Sequence, residues 1–180
     1  MFFNSYTSSQ SKKRDLIDSF YYKIVNVSRS KDFYEKLLVP DTIDGRYDLL
    51  VLFSIILTFN LSKCGNVGKD LSQNLFDKIF LDLDLSLREL GAGDAGVHIK
   101  IKQMINSYMG RQQAYCNCLK VKDFDKLEKH IIKNVYRNVF DFGNSPHLLN
   151  NYCKKVFFLF ENENDQYFLL NKFNFPNFEY

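Results

Sequence analysis

The sequence predicts an all-α, single-domain bundle of about six or seven helices with an extended aromatic C-terminal tail. Three observations point there. Apolar residues recur at spacings of three and four along most of the chain, which is the period of one helix face. The longest apolar stretch, Leu49 to Leu61, is thirteen residues long and bounded by Asp48, Ser62 and Lys63. A bilayer span takes about twenty residues, so this stretch reads as a central buried helix. The 180 residues are 46% hydrophobic and 25% charged, the balance of one folded domain rather than a disordered chain. That domain is expected to fill residues 1–180, with a helical core over 11–170 and a tail over 171–180.

The first helix is expected from about Ser11 to Val27, carried by Leu16, Ile17, Phe20, Tyr21, Ile24 and Val27. A short second helix follows over Lys31 to Leu38, with Ser30 as its cap and Pro40 as its stop. Thr42 is placed to cap the third helix, which runs to about Leu61. Cys64 to Gly68 reads as a loop. The fourth helix is expected from about Asp70 to Leu90 on the line Leu71, Leu75, Ile79, Leu83, Leu87, and Gly91 sits where a glycine ends a helix. The fifth presents Val97, Ile101, Met104, Tyr108, Tyr115 and Leu119, with Asp94 placed to cap it. The sixth covers about Asp123 to Phe140. A seventh starts near Pro146, a good first-turn residue, and runs to Phe160 or, after a break, to Leu170. The short apolar runs Val156 to Phe160 and Gln166 to Phe173 also fit a hairpin. Asn171 to Tyr180, with Phe173, Phe175, Pro176 and Phe178, is expected to lie extended on the bundle.

The net charge is +3, too small to argue for nucleic acid, but it is unevenly placed. Asp70 to Asp94 holds six acids against Lys78 and Arg88, and His98 to Val139 holds nine bases against three acids. The two regions pair with each other or form faces of opposite sign. Cys64, Cys116, Cys118 and Cys153 are too sparse for a disulfide framework, and free thiols are expected. Cys116 and Cys118 have no second pair at zinc spacing, and His98, His130 and His147 are scattered, so neither a metal site nor a catalytic triad is expected. Gly91 to Gly96 spells G-x-G-x-x-G, but a helix rather than a strand precedes it, so no nucleotide cofactor is expected. Asp82 and Asp84 point about 200° apart on a helix and would not share a proton, and Asp84 and Arg88 form an ordinary i,i+4 pair. Gly110 sits in mid-helix, where glycine costs about 1 kcal/mol against Ala, which suggests close approach of another element. Arg111 beside it is expected to reach an acid such as Asp82 or Asp84. The opening MFFNSYTSSQSKKR puts its basic residues after the apolar ones, the reverse of a secretory signal.

Several blocks, standing in one order, resemble the ubiquinol–cytochrome c chaperone family. They are Phe33-Tyr34; Val39 to Leu50, reading VPDTIDGRYDLL; Phe80 to Asp84; Leu87 to Asp94, reading LRELGAGD; Lys100 to Lys102; Tyr108-Met109-Gly110-Arg111 with Ala114-Tyr115; and Asn134-Val135-Tyr136. The resemblance implies an all-helical, non-catalytic chaperone without a cofactor that binds newly made cytochrome b and assists assembly of the cytochrome bc1 complex. It further implies a small partner chaperone, a ribosome or a membrane surface as additional contacts, and no DNA. The short length looks like a bacterial version at the cytoplasmic face of the inner membrane, or in the mitochondrial matrix of a eukaryote.

The client surface expected on this reading combines four segments. The entry to the third helix offers Pro40, Asp41, Asp44, Gly45, Arg46 and Asp48. The acidic fourth helix offers Asp82, Asp84, Arg88 and Glu89, and the reversal after it Gly91, Gly93 and Asp94. The fifth helix offers Lys102, Tyr108, Gly110, Arg111 and Tyr115. Exposed Phe and Tyr are expected to hold the apolar client. Two other readings stand beside this one. An all-helical enzyme acting on a lipid-like substrate requires a deep cavity lined with perturbed acids. A basic membrane or RNA-binding module over Lys100 to Arg137 requires binding that weakens with salt.

Overall fold

The computed structural model describes residues 2–91, 93–137 and 141–179, with side chains from residue 10 onward. The regular elements among the described residues are all helices. In chain order these are α1 (Phe2–Ser28), α2 (Lys31–Glu35), α3 (Ile43–Leu61), α4 (Gly65–Glu89), α5 (Asp94–Val121), α6 (Phe124–Asn134), α7 (Ser145–Glu161) and α8 (Asp165–Leu169). Two of them are single-turn pieces of five residues, which leaves six long helices.

The apolar run of α3 sits at the centre, with Leu49, Val51, Leu52, Phe53, Ile55, Ile56 and Leu57 fully buried. Helices α1, α4, α5 and α7 pack around it, and α6 joins α5 to α7. A helix apolar on every side needs neighbours on every side, and α3 has them. Thr42 caps α3 as expected, its Oγ1 accepting from Gly45 N at 3.0 Å. Gly91 takes φ +85° just past α4, where a side chain would be strained.

Several boundaries differ from the expectation, each for a local reason. No Gly or Pro stands in residues 1–28, and α1 accordingly reaches back to Phe2. Helix α4 begins at Gly65 rather than Asp70, because Gly68 is accommodated inside it. A Cβ on Gly68 would lie 1.8 Å from Leu61 O, so only glycine lets α4 start against the end of α3. Helix α6 ends at Asn134, and Arg137 beyond it takes a left-handed φ of 54°. The expected continuation to Phe140 falls partly outside the described residues. Ser30 stands before α2 without a side-chain cap, and α2 stops at Glu35, short of Leu38. Asp94 is the first residue of α5 and does not cap it; its carboxylate is taken by Arg88.

The hairpin alternative near the C-terminus does not form. Leu149, Cys153, Val156 and Phe160 are buried at helical spacing in α7, a period a strand cannot satisfy. Asn164 then accepts from Tyr167 N and starts α8. Residues after Leu170 run extended into a cleft between α1, α2 and α7, as expected. Lys23 of α1 donates to Asn171 O, Asn171 Oδ1 and Phe173 O at 2.6–2.9 Å, and Tyr152 donates to Pro176 O at 2.7 Å. Phe173 is fully buried against Phe20, Phe160 and Phe168.

Candidate functional site

The entry to α3 is built on a close backbone approach. A Cβ on Gly45 would sit 2.0 Å from Pro40 O, so glycine lets the loop fold over the first turn. Outside this turn, Arg46 grips Asp41 with two nitrogens, at 2.6 and 3.2 Å, and lies over the Tyr34 ring. Gly45→Ala is therefore expected to cost about 3 kcal/mol, the upper end of ordinary overpacking. Chemical denaturation reads this, and unchanged stability would show that the loop yields.

One turn on, Asp48 is the buried acid of α3. Its carboxylate meets Arg111 of α5 at 2.8 Å and Arg137, beyond α6, at 2.9 Å. The Arg111 N–H is not aligned on Oδ1, so that oxygen has an ion-pair partner but no hydrogen bond. Burial pushes the Asp48 carboxyl up to about 6, against the pull of Arg111 and Arg137. Asp44 extends the cluster to Lys100 at 3.5 Å and Arg137 at 3.7 Å. Tyrosine hydroxyls tie the same region together. Tyr47 donates to Met104 O at 2.6 Å, Tyr136 donates to Leu37 O at 2.9 Å, and Tyr115 accepts from Asn134 at 3.0 Å.

This placement corrects two expectations. Arg111 does not reach Asp82 or Asp84, because Asp82 accepts from Tyr21 of α1 and Asp84 is held by Arg88. Gly110 is exposed, and a Cβ there would meet nothing within 4 Å, so it serves no close approach within this chain.

The far half of α4 and the start of α5 form a different surface. Beyond Phe80 no described residue of α4 is buried, and α5 buries only Val97 before Met104. Val97 lies outside the main core cluster, while Leu83, Leu87 and Ile101 pack half-buried against it, so this helical hairpin rests on the bundle by one face and leaves the other open. Arg88 pairs with Asp84 at 2.6 Å and also with Asp94, fastening the end of α4 to the start of α5 across the Gly91 turn. Four large aliphatic side chains are exposed on it: Leu81 (60%), Leu85 (51%), Leu90 (69%) and Ile99 (58%). Ile43, beside the Asp44–Lys100 pair, is exposed too. Lone exposed leucines are ordinary, but several on one hairpin mark a contact surface.

The expected site residues sort by burial. Asp41, Arg46, Arg88, Glu89, Gly91, Gly93, Asp94, Lys102 and Gly110 are exposed, and Pro40, Asp44, Asp82, Asp84 and Arg111 are partly so. Gly45, Asp48, Tyr108 and Tyr115 are buried and meet no partner unless the fold opens. The expectation of exposed Phe and Tyr also changes: Tyr22 of α1 is the exposed aromatic among the described residues, and the hairpin's apolar groups are aliphatic. Sequence reasoning passed over Leu81, Leu85, Leu90, Ile99 and Ile43. The signal was present for two of them, since Leu81 and Leu85 are spaced i,i+4 on a line opposite the buried one.

Five clefts on the described surface are open and about 340–670 Å³ in volume. The largest of these five is the one that residues 174–178 border. Asp48 lines none of them. Among the described residues no His, Cys, Asp and Glu group has the makings of a metal site, and no helix is long and apolar enough to cross a membrane. All four thiols are free.

Comparison with known proteins adds two matches. The family model described as ubiquinol-cytochrome C chaperone matches residues 35–175. A crystal structure of the Cbp3 homolog from Brucella abortus superposes with a TM-score of 0.86 at 25% identity, covering 98% of this chain and 97% of that one. No curated protein matches.

Proposed function

This chain belongs to the ubiquinol–cytochrome c chaperone family, and from that premise we propose that it binds newly made cytochrome b and assists assembly of the cytochrome bc1 complex without catalysing a reaction. The observation that carries the reading is the outer face of the α4–α5 hairpin, with Leu81, Leu85, Leu90 and Ile99 in water beside Asp84, Glu89 and Asp94. An assembly factor must hold apolar segments and release them, and aliphatic groups at a solvated rim bind by area without a deep pocket. The acids around them favour a client segment with flanking positive charge. The place of action on this reading is the cytoplasmic face of the inner membrane, where such a client inserts.

The test uses cross-linkable residues at Glu89 and Asp94, both exposed, during synthesis of membrane proteins. Capture of cytochrome b is the expected result. A Leu90→Glu/Ile99→Glu double variant is expected to keep its melting temperature and to lose at least about tenfold of that capture, since two side chains of this size carry about 1.5–3 kcal/mol each when buried. Full capture by the double variant would remove the hairpin from the client surface. Normal levels of bc1 complex in a strain lacking the chain would contradict the function itself.

A further inference from the structure

Between α5 and α6 lies an open cleft of about 340 Å³ that Arg111 lines and Asp48 does not. Arg111 lies at its floor with a side chain only 13% exposed. Lys133 and His130 stand on the α6 wall, and Asn106, Ser107 and Asn134 supply neutral donors and acceptors. Arg111 donates to Ser107 Oγ at 2.6 Å, and the Ser107 hydroxyl in turn bonds to Tyr47, which fixes the guanidinium in place.

The charge here does not balance. Asp44 and Asp48 face Lys100, Arg111 and Arg137, so that cluster carries one surplus positive charge. Lys126, Lys129 and Lys133 stand at spacings of three and four on α6, balanced in number by Asp123, Asp125 and Glu128 of the same segment, but none of the three lysines has an ion-pair partner among the described residues. Burial, and then Lys126 and Lys133, hold the His130 imidazole below its ordinary pKa. Like charges gathered around a polar cleft repel one another until an anion enters.

We propose that this cleft binds a phosphate group, with Arg111 at the floor and Lys133 and His130 at the mouth. A planar guanidinium offers paired N–H donors to phosphate oxygens, and lysine adds a mobile point charge. The lysines above the mouth extend the positive field outward along α6. A phospholipid headgroup and a soluble phosphate share this chemistry. The inference is independent of the client reading, because none of these residues lies on the exposed aliphatic face formed by the end of α4 and the start of α5.

The test uses the full chain with two probes, inorganic phosphate against chloride at constant ionic strength and vesicles with or without phosphatidylglycerol. The readouts are the His130 ring resonances and co-sedimentation. Inorganic phosphate is expected to shift the His130 resonances saturably. Lys133→Ala, an exposed substitution that leaves the fold intact, is expected to weaken that binding about fivefold. Vesicle binding that depends on both phosphatidylglycerol and Lys133 assigns the site to a lipid headgroup. Saturation by phosphate with no Lys133-dependent vesicle binding assigns it to a soluble ligand. No saturable His130 shift with either probe, or an unchanged affinity in Lys133→Ala, would overturn the proposal.

Discussion

Asp48→Ala is expected to lower the melting temperature by about 10 °C. The Asp48 side chain is fully buried, and its removal leaves the Arg111 guanidinium largely out of water and facing no counter-charge. Breaking a buried pair on one side costs about 3–5 kcal/mol, and in a chain of this size each kcal/mol is about 2–4 °C. Arg137 is half exposed and can turn to water, so Arg137→Ala is expected to cost less than Arg111→Ala, and both less than Asp48→Ala. Equal losses at Arg137 and Asp48 would refute the burial argument. The same carboxyl has a pH signature. Burial raises its pKa from the ordinary 3.8 to about 6, so between those values the folded chain binds the proton that the unfolded chain has lost. Its contribution to stability is therefore greatest below about pH 4 and falls as the pH rises through 6. Asp41, held down by Arg46, and Glu161, held down by Lys122 and Lys63, act with the opposite sign. The difference between wild type and Asp48→Asn isolates the buried group. That difference is expected to shift against wild type by on the order of 2–3 kcal/mol between pH 4 and 7, and a flat difference would contradict the assignment.

Removing residues 171–180 is expected to abolish cooperative unfolding. Phe173 alone, fully buried with its ring 5.0 Å from that of Phe20, is worth about 3–5 kcal/mol on replacement by Ala. The deletion also uncovers Phe53 and Phe160, which Phe175 faces, and strips Lys23 of the tail carbonyls that hold its ammonium. A chain with most of its net stability removed keeps helix but loses fixed packing. Retained far-ultraviolet circular dichroism with strong dye binding is the expected readout. A sharp transition at the wild-type temperature would show that the tail is an ornament on a complete core.

Much of the fold was legible because it follows local rules. The line from Leu71 to Leu87, the Thr42 cap and the Gly91 stop each depend on residues within a few positions of one another. The start of α4 was not legible, because Gly65 and Gly68 read as a loop until the Leu61 carbonyl beneath Gly68 is known. The partner of Arg111 was not legible for a related reason. Which acid it meets depends on where α3 and α5 cross, and Asp48 hides at the edge of an apolar run while Asp82 and Asp84 advertise an acidic helix. The proposed client surface was half legible: its charged residues stood out, and its leucines merged into the general apolar content of α4.

The clamp of Lys23 on the tail imposes an order on synthesis. Lys23 and Asn171 are separated by 148 residues, which a ribosome adds in roughly 7–30 s at about 5–20 residues per second. Throughout that interval Phe20 of α1 exists without the Phe173 ring that covers it. Helices form in about a microsecond, so the slow step in making this chaperone is waiting for Asn171 and Phe173. Until they arrive, the newborn chain exposes an aromatic face of the kind that itself attracts chaperones.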